Sequence, residues 1–183
     1  VENTDATLFG AATSPTGIKP AGFSGAIRHL RQKYNLYANV RPATSFPNTR
    51  SRFTEGVDII TVRENTEGEY TNIGGVMWPG TEQEVVLQQN VFSRRGADRV
   101  LKYAFDLAQS RARKKVTVAT KSNGIAVSMP WWDGRADAMA AAYPEIAVDK
   151  QHIDILCARF VLQPDRFDVV VASNLFGDIL SDL

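Results

Sequence analysis

The sequence holds one cysteine, Cys157, and two histidines in 183 residues. That set can build neither a disulfide framework nor a cysteine-rich zinc site. Excess charge of one sign is also missing: 21 basic against 20 acidic residues leave a net charge of +1. A dedicated nucleic-acid binder, whose affinity rests on many neutralised phosphates, is thereby disfavoured. No apolar run approaches the roughly 18 to 20 residues of a membrane span. There is no Gly-x-Gly-x-x-Gly, no Walker loop, no His-Glu-x-x-His and no Gly-x-Ser-x-Gly, and Gly22-Phe23-Ser24-Gly25 has the wrong spacing for a nucleophile elbow. A simple Rossmann dehydrogenase is therefore disfavoured as well. The chain starts at Val1 without a methionine or a leader-like segment and stops at Leu183 inside a helical pattern, so it reads as an excerpt of a longer protein.

What is present is an alternation of strand-like and helix-like periods, the signature of an α/β domain. Strands are expected at Ala6 to Ala11, Tyr37 to Val40 (stopped by Pro42), Val57 to Val62, Val116 to Thr120, Ile146 to His152 and Phe167 to Ser173. Helices are expected at Gly25 to Tyr34, Ala97 to Arg113 with Ser93 as cap, Trp132 to Tyr143, Ile155 to Leu162, and from near Asp178 after a turn at Asn174-Leu175-Phe176-Gly177. From Asn65 to Phe92 glycines punctuate the chain, and Glu84 to Val91 alternates like one arm of a protruding hairpin, a candidate dimer clasp. Basic residues Arg111 to Lys115 close the second of these helices, where cations complement the helix dipole without any ligand.

Three constellations carry chemistry. Asp178 and Asp182 stand four apart at the carboxyl end of a buried strand, a pattern suited to a hard divalent cation. The competing reading makes Asp178 a helix cap and Asp182 a solvated charge. Arg31, Arg41 and Arg63 each finish a predicted element, and guanidinium groups clamp carboxylates in a bidentate way, so three together fit a substrate with more than one carboxylate. Lys121 follows a strand at its carboxyl end and is placed to move protons, while Tyr70 could donate one to an enol carbon. His29 and His152 form no metal motif and read as structural or solvated.

The motifs Ala38-Asn39-Val40-Arg41-Pro42, Val62-Arg63-Glu64-Asn65-Thr66-Glu67-Gly68 and Asn174 through Asp182 together resemble the β-decarboxylating dehydrogenases, the family of isocitrate, isopropylmalate, homoisocitrate and tartrate or D-malate dehydrogenases. The resemblance covers essentially the whole chain. It implies an isopropylmalate dehydrogenase-like α/β fold, with 1–36 an edge of the larger cofactor domain and 37–183 the smaller, dimer-forming substrate domain. It implies oxidative decarboxylation of a (2R)-2-hydroxy acid with NAD and Mg2+ or Mn2+ in a cytoplasmic homodimer. By motif, Arg31, Arg41 and Arg63 resemble the substrate arginines, Tyr70 and Lys121 the proton-transfer residues, and Asp154, Asp178 and Asp182 the metal carboxylates. Lys121 and Asp154 would be lent by the neighbouring subunit. Asn123 resembles a residue contacting the nicotinamide portion, and the Gly10 to Pro15 loop lies near the cofactor in relatives. Residues from Glu64 onward look most like tartrate or D-malate dehydrogenases, which favours a C4 diacid. The front, with Arg28 suited to a third carboxylate, looks more like homoisocitrate dehydrogenase. A non-catalytic dimerisation piece of the same fold is the alternative from a different class. The chain alone is expected to bind the dinucleotide poorly.

Overall fold

The computed structural model describes residues 3–10, 25–50, 52–53 and 56–183, with the side chain of Arg28 left out. Most of the Gly10 to Pro15 loop and the Gly22 to Ser24 segment lie outside the described residues. The chain forms two compact units, Val1–Leu36 and Tyr37–Leu183. Among the described residues, no helix is long and apolar enough to cross a membrane.

In the first unit the described helix is α1, Ala26–Lys33. Asn35 takes a left-handed conformation (φ 50°), and the chain closes with Asn35 N–H to Gln32 O and Leu36 N–H to Arg31 O. Those two bonds satisfy carbonyls that the helix end leaves without partners. The strand expected at Ala6 to Ala11 is not formed over residues 6–10. A strand needs a neighbour to pair with, and the described part of this unit supplies none.

The second unit is built on a five-stranded sheet of β1 (Ala38–Thr44), β2 (Asp58–Glu64), β5 (Lys115–Thr120), β6 (Ala147–His152) and β7 (Val169–Ala172), ordered β1-β2-β7-β5-β6. All neighbours run parallel except the β1/β2 pair. Strand β7 reads Val-Val-Val-Ala and is buried throughout, as a central parallel strand covered on both faces must be. Strand β1 runs through Pro42 instead of stopping before it. It is an edge strand, and proline costs little there because the missing N–H can face away from the ladder.

Helices α2 (Arg94–Ser110) and α3 (Ser128–Ala140) carry the chain in one direction across the sheet, and α4 (Ile153–Leu162) brings it back to β7. Right-handed crossovers then place α2 and α3 on one face and α4 on the other. The buried stripe of α2, Ala97, Val100, Leu101, Ala104, Phe105 and Ala108, packs with Trp132 and Met129 of α3 over the sheet. Ser93 caps α2 by accepting from Gly96 N–H at 3.0 Å. Helix α3 begins four residues earlier than expected and takes Pro130 into its first turn, where a missing N–H breaks no helical bond.

The final helix, α5 (Asn174–Ser181), starts at the residues expected to be a turn. Its cap comes from far away in sequence: the Glu69 carboxylate accepts from Ser173 Oγ at 2.6 Å and from Leu175 N–H at 3.0 Å. Asp178 therefore sits in the second turn and does not cap the helix.

Between β2 and α2 projects a hairpin of β3 (Gly74–Met77) and β4 (Val85–Gln88), seated at its base by paired backbone bonds between Gly68 and Val91. Every residue of both strands is exposed, including Val76, Met77, Val85, Val86 and Leu87, with Trp78 just beyond β3. The run Arg111 to Lys115 has partners, though not the expected ones. Arg111 pairs with the fully buried Asp168 and with Asp58, and Arg113 donates to the carbonyls of Phe167 and Asp165. These bonds tie the end of α2 to the start of β7, so the cations belong to the architecture and not to the helix dipole.

Candidate active site

Several of the candidate side chains lie near the carboxyl ends of the parallel strands, where α/β sheets bind ligands. The β1/β2 register places Asn39 opposite Arg63 and Arg41 opposite Thr61. Since strand side chains alternate, Arg41 and Arg63 share one sheet face as diagonal neighbours. Arg63 is only 4% exposed. Its Nε and Nη2 both donate to Asn174 Oδ1, at 3.0 and 2.7 Å, and its Nη1 donates to Asp178 Oδ1. A buried guanidinium is tolerable only with partners of this kind.

Arg41 approaches the same place from the edge strand. Its Nη1 lies 3.5 Å from carboxylate oxygens of both Asp178 and Asp182 and donates to Ser181 Oγ at 2.5 Å. Tyr70, half exposed, donates its hydroxyl to Asp178 Oδ2 at 3.0 Å, and its ring centre lies 5.7 Å from Arg63 Cζ. Partial desolvation of the phenol, and then its bond to the Asp178 carboxylate, raise its pKa above the ordinary tyrosine value. The hydroxyl is thus held protonated, the state a proton donor needs.

Lys121 and Asp154 form a second group. Lys121 follows β5, and its Nζ donates to Asp154 Oδ1 at 2.9 Å from the first turn of α4. That bond is the main cause holding the Asp154 carboxyl below its ordinary pKa. Asn123 is exposed in the turn that follows, which is closed by Gly124 and Ile125 N–H groups donating to the Lys121 carbonyl. Among the described residues no three acidic, histidine or cysteine side chains come together to hold a metal. Asp178 and Asp182 are joined through Arg41, while Asp154 stands with Lys121. Arg31 lies in α1 of the first unit.

Reading the sequence missed the carboxylates that organise the loop after β2. Glu64, 1% exposed, accepts from Thr66 N–H and Oγ and from Glu67 N–H. Glu67 accepts from Ser93 N–H and Oγ, and Glu69 caps α5. Asn174, expected in a turn, opens α5. Only the density of acids in Glu64-Asn65-Thr66-Glu67-Gly68-Glu69 hinted that this loop is a structural hub.

A family model described as isocitrate/isopropylmalate dehydrogenase matches residues 1–183. The chain belongs to the isocitrate/isopropylmalate dehydrogenase family. It is 58% identical to the tartrate dehydrogenase/decarboxylase of Pseudomonas putida over 98% of its length and 51% of that protein. The D-malate dehydrogenase [decarboxylating] of Escherichia coli (strain K12) is also 58% identical, with the same coverage of both chains. Among solved structures, an isocitrate dehydrogenase from Methylococcus capsulatus superposes with a TM-score of 0.82 at 41% identity, covering 93% of this chain and 49% of that one. The chain thus spans about half the length of the curated relatives it matches. Family membership accounts for the α/β fold of the second unit.

Proposed function

We propose that this chain supplies the substrate grip of a cytoplasmic, homodimeric enzyme that oxidises and decarboxylates a four-carbon (2R)-2-hydroxy diacid, such as D-malate or tartrate, with NAD and magnesium or manganese. The observation that carries this reading is the convergence of Arg41 and Arg63 on the Asp178 carboxylate. Two guanidinium groups on one sheet face already coordinate carboxylate oxygen, the geometry a diacid requires. Identity of 58% to a tartrate and a D-malate enzyme supports the C4 choice.

The donor set fits a hard cation. Asp178 and Asp182 lie one helical turn apart and offer oxygen only, and magnesium takes one or two protein carboxylates while leaving positions for substrate. They would hold the ion together with Asp154 of a second copy. When bound, the ion supplies Lewis-acid polarisation of the substrate's oxygens. Arg41 and Arg63 orient the two carboxylates. NAD, when bound, would supply the hydride acceptor; Lys121 accepts the substrate hydroxyl proton, one carboxylate leaves as carbon dioxide, and Tyr70 returns a proton to the carbon left behind. Asn123, exposed beside Lys121, is suited to the nicotinamide end. The chain spans about half the length of its relatives, so the 183-residue chain by itself is expected to reduce no NAD.

Two observations support a shared site. Lys121 and Asp154 pair with each other, and the exposed apolar hairpin offers a surface for a second copy. The deciding experiment compares D-malate, tartrate, isocitrate and homoisocitrate with NAD and manganese, using a full-length protein that carries this chain. Preferential turnover of the C4 acids is expected. Turnover of the tricarboxylates alone would favour the Arg28 reading, and a folded dimer inert toward all four would favour a non-catalytic dimerisation role.

A further inference from the structure

We propose that Asn174 is the positioning residue of the substrate grip: its amide fixes the plane of the Arg63 guanidinium. The inference rests on the reading of Arg63 as a carboxylate clamp. Asn174 is 6% exposed at the start of α5, and its Oδ1 receives both Nε and Nη2 of Arg63, the two donors along one edge of a planar group. An acceptor on that edge stops rotation of the guanidinium about its stem. The amide is itself oriented, because its Nδ2 donates to the Glu67 carbonyl at 2.9 Å. Glu67 is anchored in turn to Ser93 at the start of α2.

This double duty selects the side chain. Aspartate could accept from Arg63 but would turn an oxygen toward the Glu67 carbonyl. Leucine can do neither. A longer glutamine would have to fit where the backbone is already close: a β-carbon on Gly68 would stand 3.3 Å from Asn174 Cβ. Without Asn174 the charge of Arg63 stays, drawn to Asp178, while the plane that makes a bidentate bond is lost. The effect therefore falls on the diacid and not on the dinucleotide.

The test uses the full-length protein with 15N-labelled arginine, as wild type, Asn174→Leu and Asn174→Asp. The Arg63 Nε–H signal, identified by its loss in Arg63→Lys, is expected to exchange slowly in the wild type and in Asn174→Asp. In Asn174→Leu it should lose that protection. In parallel, KM for D-malate should rise about tenfold or more in Asn174→Leu, the scale of a lost charge-assisted hydrogen bond, with kcat and KM for NAD within about twofold. Persistence of slow exchange in Asn174→Leu, or a fall in kcat with both KM values shifted together, would overturn the assignment. Should Asn174→Leu not fold, Asn174→Asp carries the test. It should keep the protected signal yet raise KM for D-malate, because its charge competes for Arg63, and an unchanged KM would count against the proposal. A wild type inert toward every hydroxy diacid defeats the functional reading, and the Nε–H comparison then decides the Asn174 assignment by itself.

Discussion

Gly177 lies against the stem of Arg63: a β-carbon on it would stand 2.6 Å from Arg63 Cβ and 3.1 Å from its Cα. Helix propensity alone favours alanine over glycine by about 1 kcal/mol. The close atom on the other side includes backbone, which cannot swing away, and overpacking of this kind costs about 1 to 3 kcal/mol. Gly177→Ala is therefore expected to lower the urea midpoint at unchanged slope, a net loss of up to about 2 kcal/mol. A variant as stable as the wild type would show that α5 can shift off β2.

That contact also explains what could be read in advance. The apolar run of β7 and the periodicity of α2 reveal themselves because burial on both faces, or on one stripe, is written in consecutive residues. The individual actors Arg41, Arg63 and Asp178 stood out for the same local reason: each finishes or follows a strand. Their convergence did not, because Arg63 and Asp178 are 115 residues apart and meet only once the β1/β2 register and the β2/β7 pairing are set. The start of α5 departs from the expected turn for a related reason. Its cap is Glu69, which no local pattern near Asn174 announces, so a helix that opens with Asn-Leu-Phe-Gly looks like a turn.

Tyr70 is expected to act in proton return and not in binding. Tyr70→Phe removes the donor to Asp178 Oδ2 while leaving Arg41 and Arg63 in place. In the full-length protein kcat should fall about a hundredfold, the lower part of the range for a general acid, with KM for the diacid changed by less than about threefold. A rise in KM with kcat intact would instead make Tyr70 a binding residue.

Glu64 gives a pH signature. Burial raises its carboxyl above the ordinary glutamate value of about 4.3, outweighing the bonds from Thr66 and Glu67. Above that value the unfolded chain has released this proton while the native chain still holds it, so native binds more protons and stability falls as pH rises through the window. Glutamine cannot titrate. The stability advantage of wild type over Glu64→Gln should therefore shrink as pH rises above the ordinary glutamate value, measured by urea titration at each pH. An advantage that is constant or grows with pH would mean that the carboxylate is stabilised in the fold.

The proposed lending of Lys121 and Asp154 by a second copy makes complementation the sharpest test of a shared site. If each site takes Arg63 and Tyr70 from one chain and Lys121 and Asp154 from the other, full-length Arg63→Ala and Lys121→Met proteins are each inactive alone. A mixed dimer puts both lesions in one of its two sites and leaves the other intact. Refolding the two together at equal concentration makes about half the dimers mixed, so about a quarter of wild-type activity should return. Charging the hairpin by Val86→Asp should abolish that recovery and shift sedimentation toward the monomer, since this exposed valine is the surface expected to meet the second copy. Recovery absent from mixtures that demonstrably exchange subunits would place Lys121 and Arg63 in the site of a single chain.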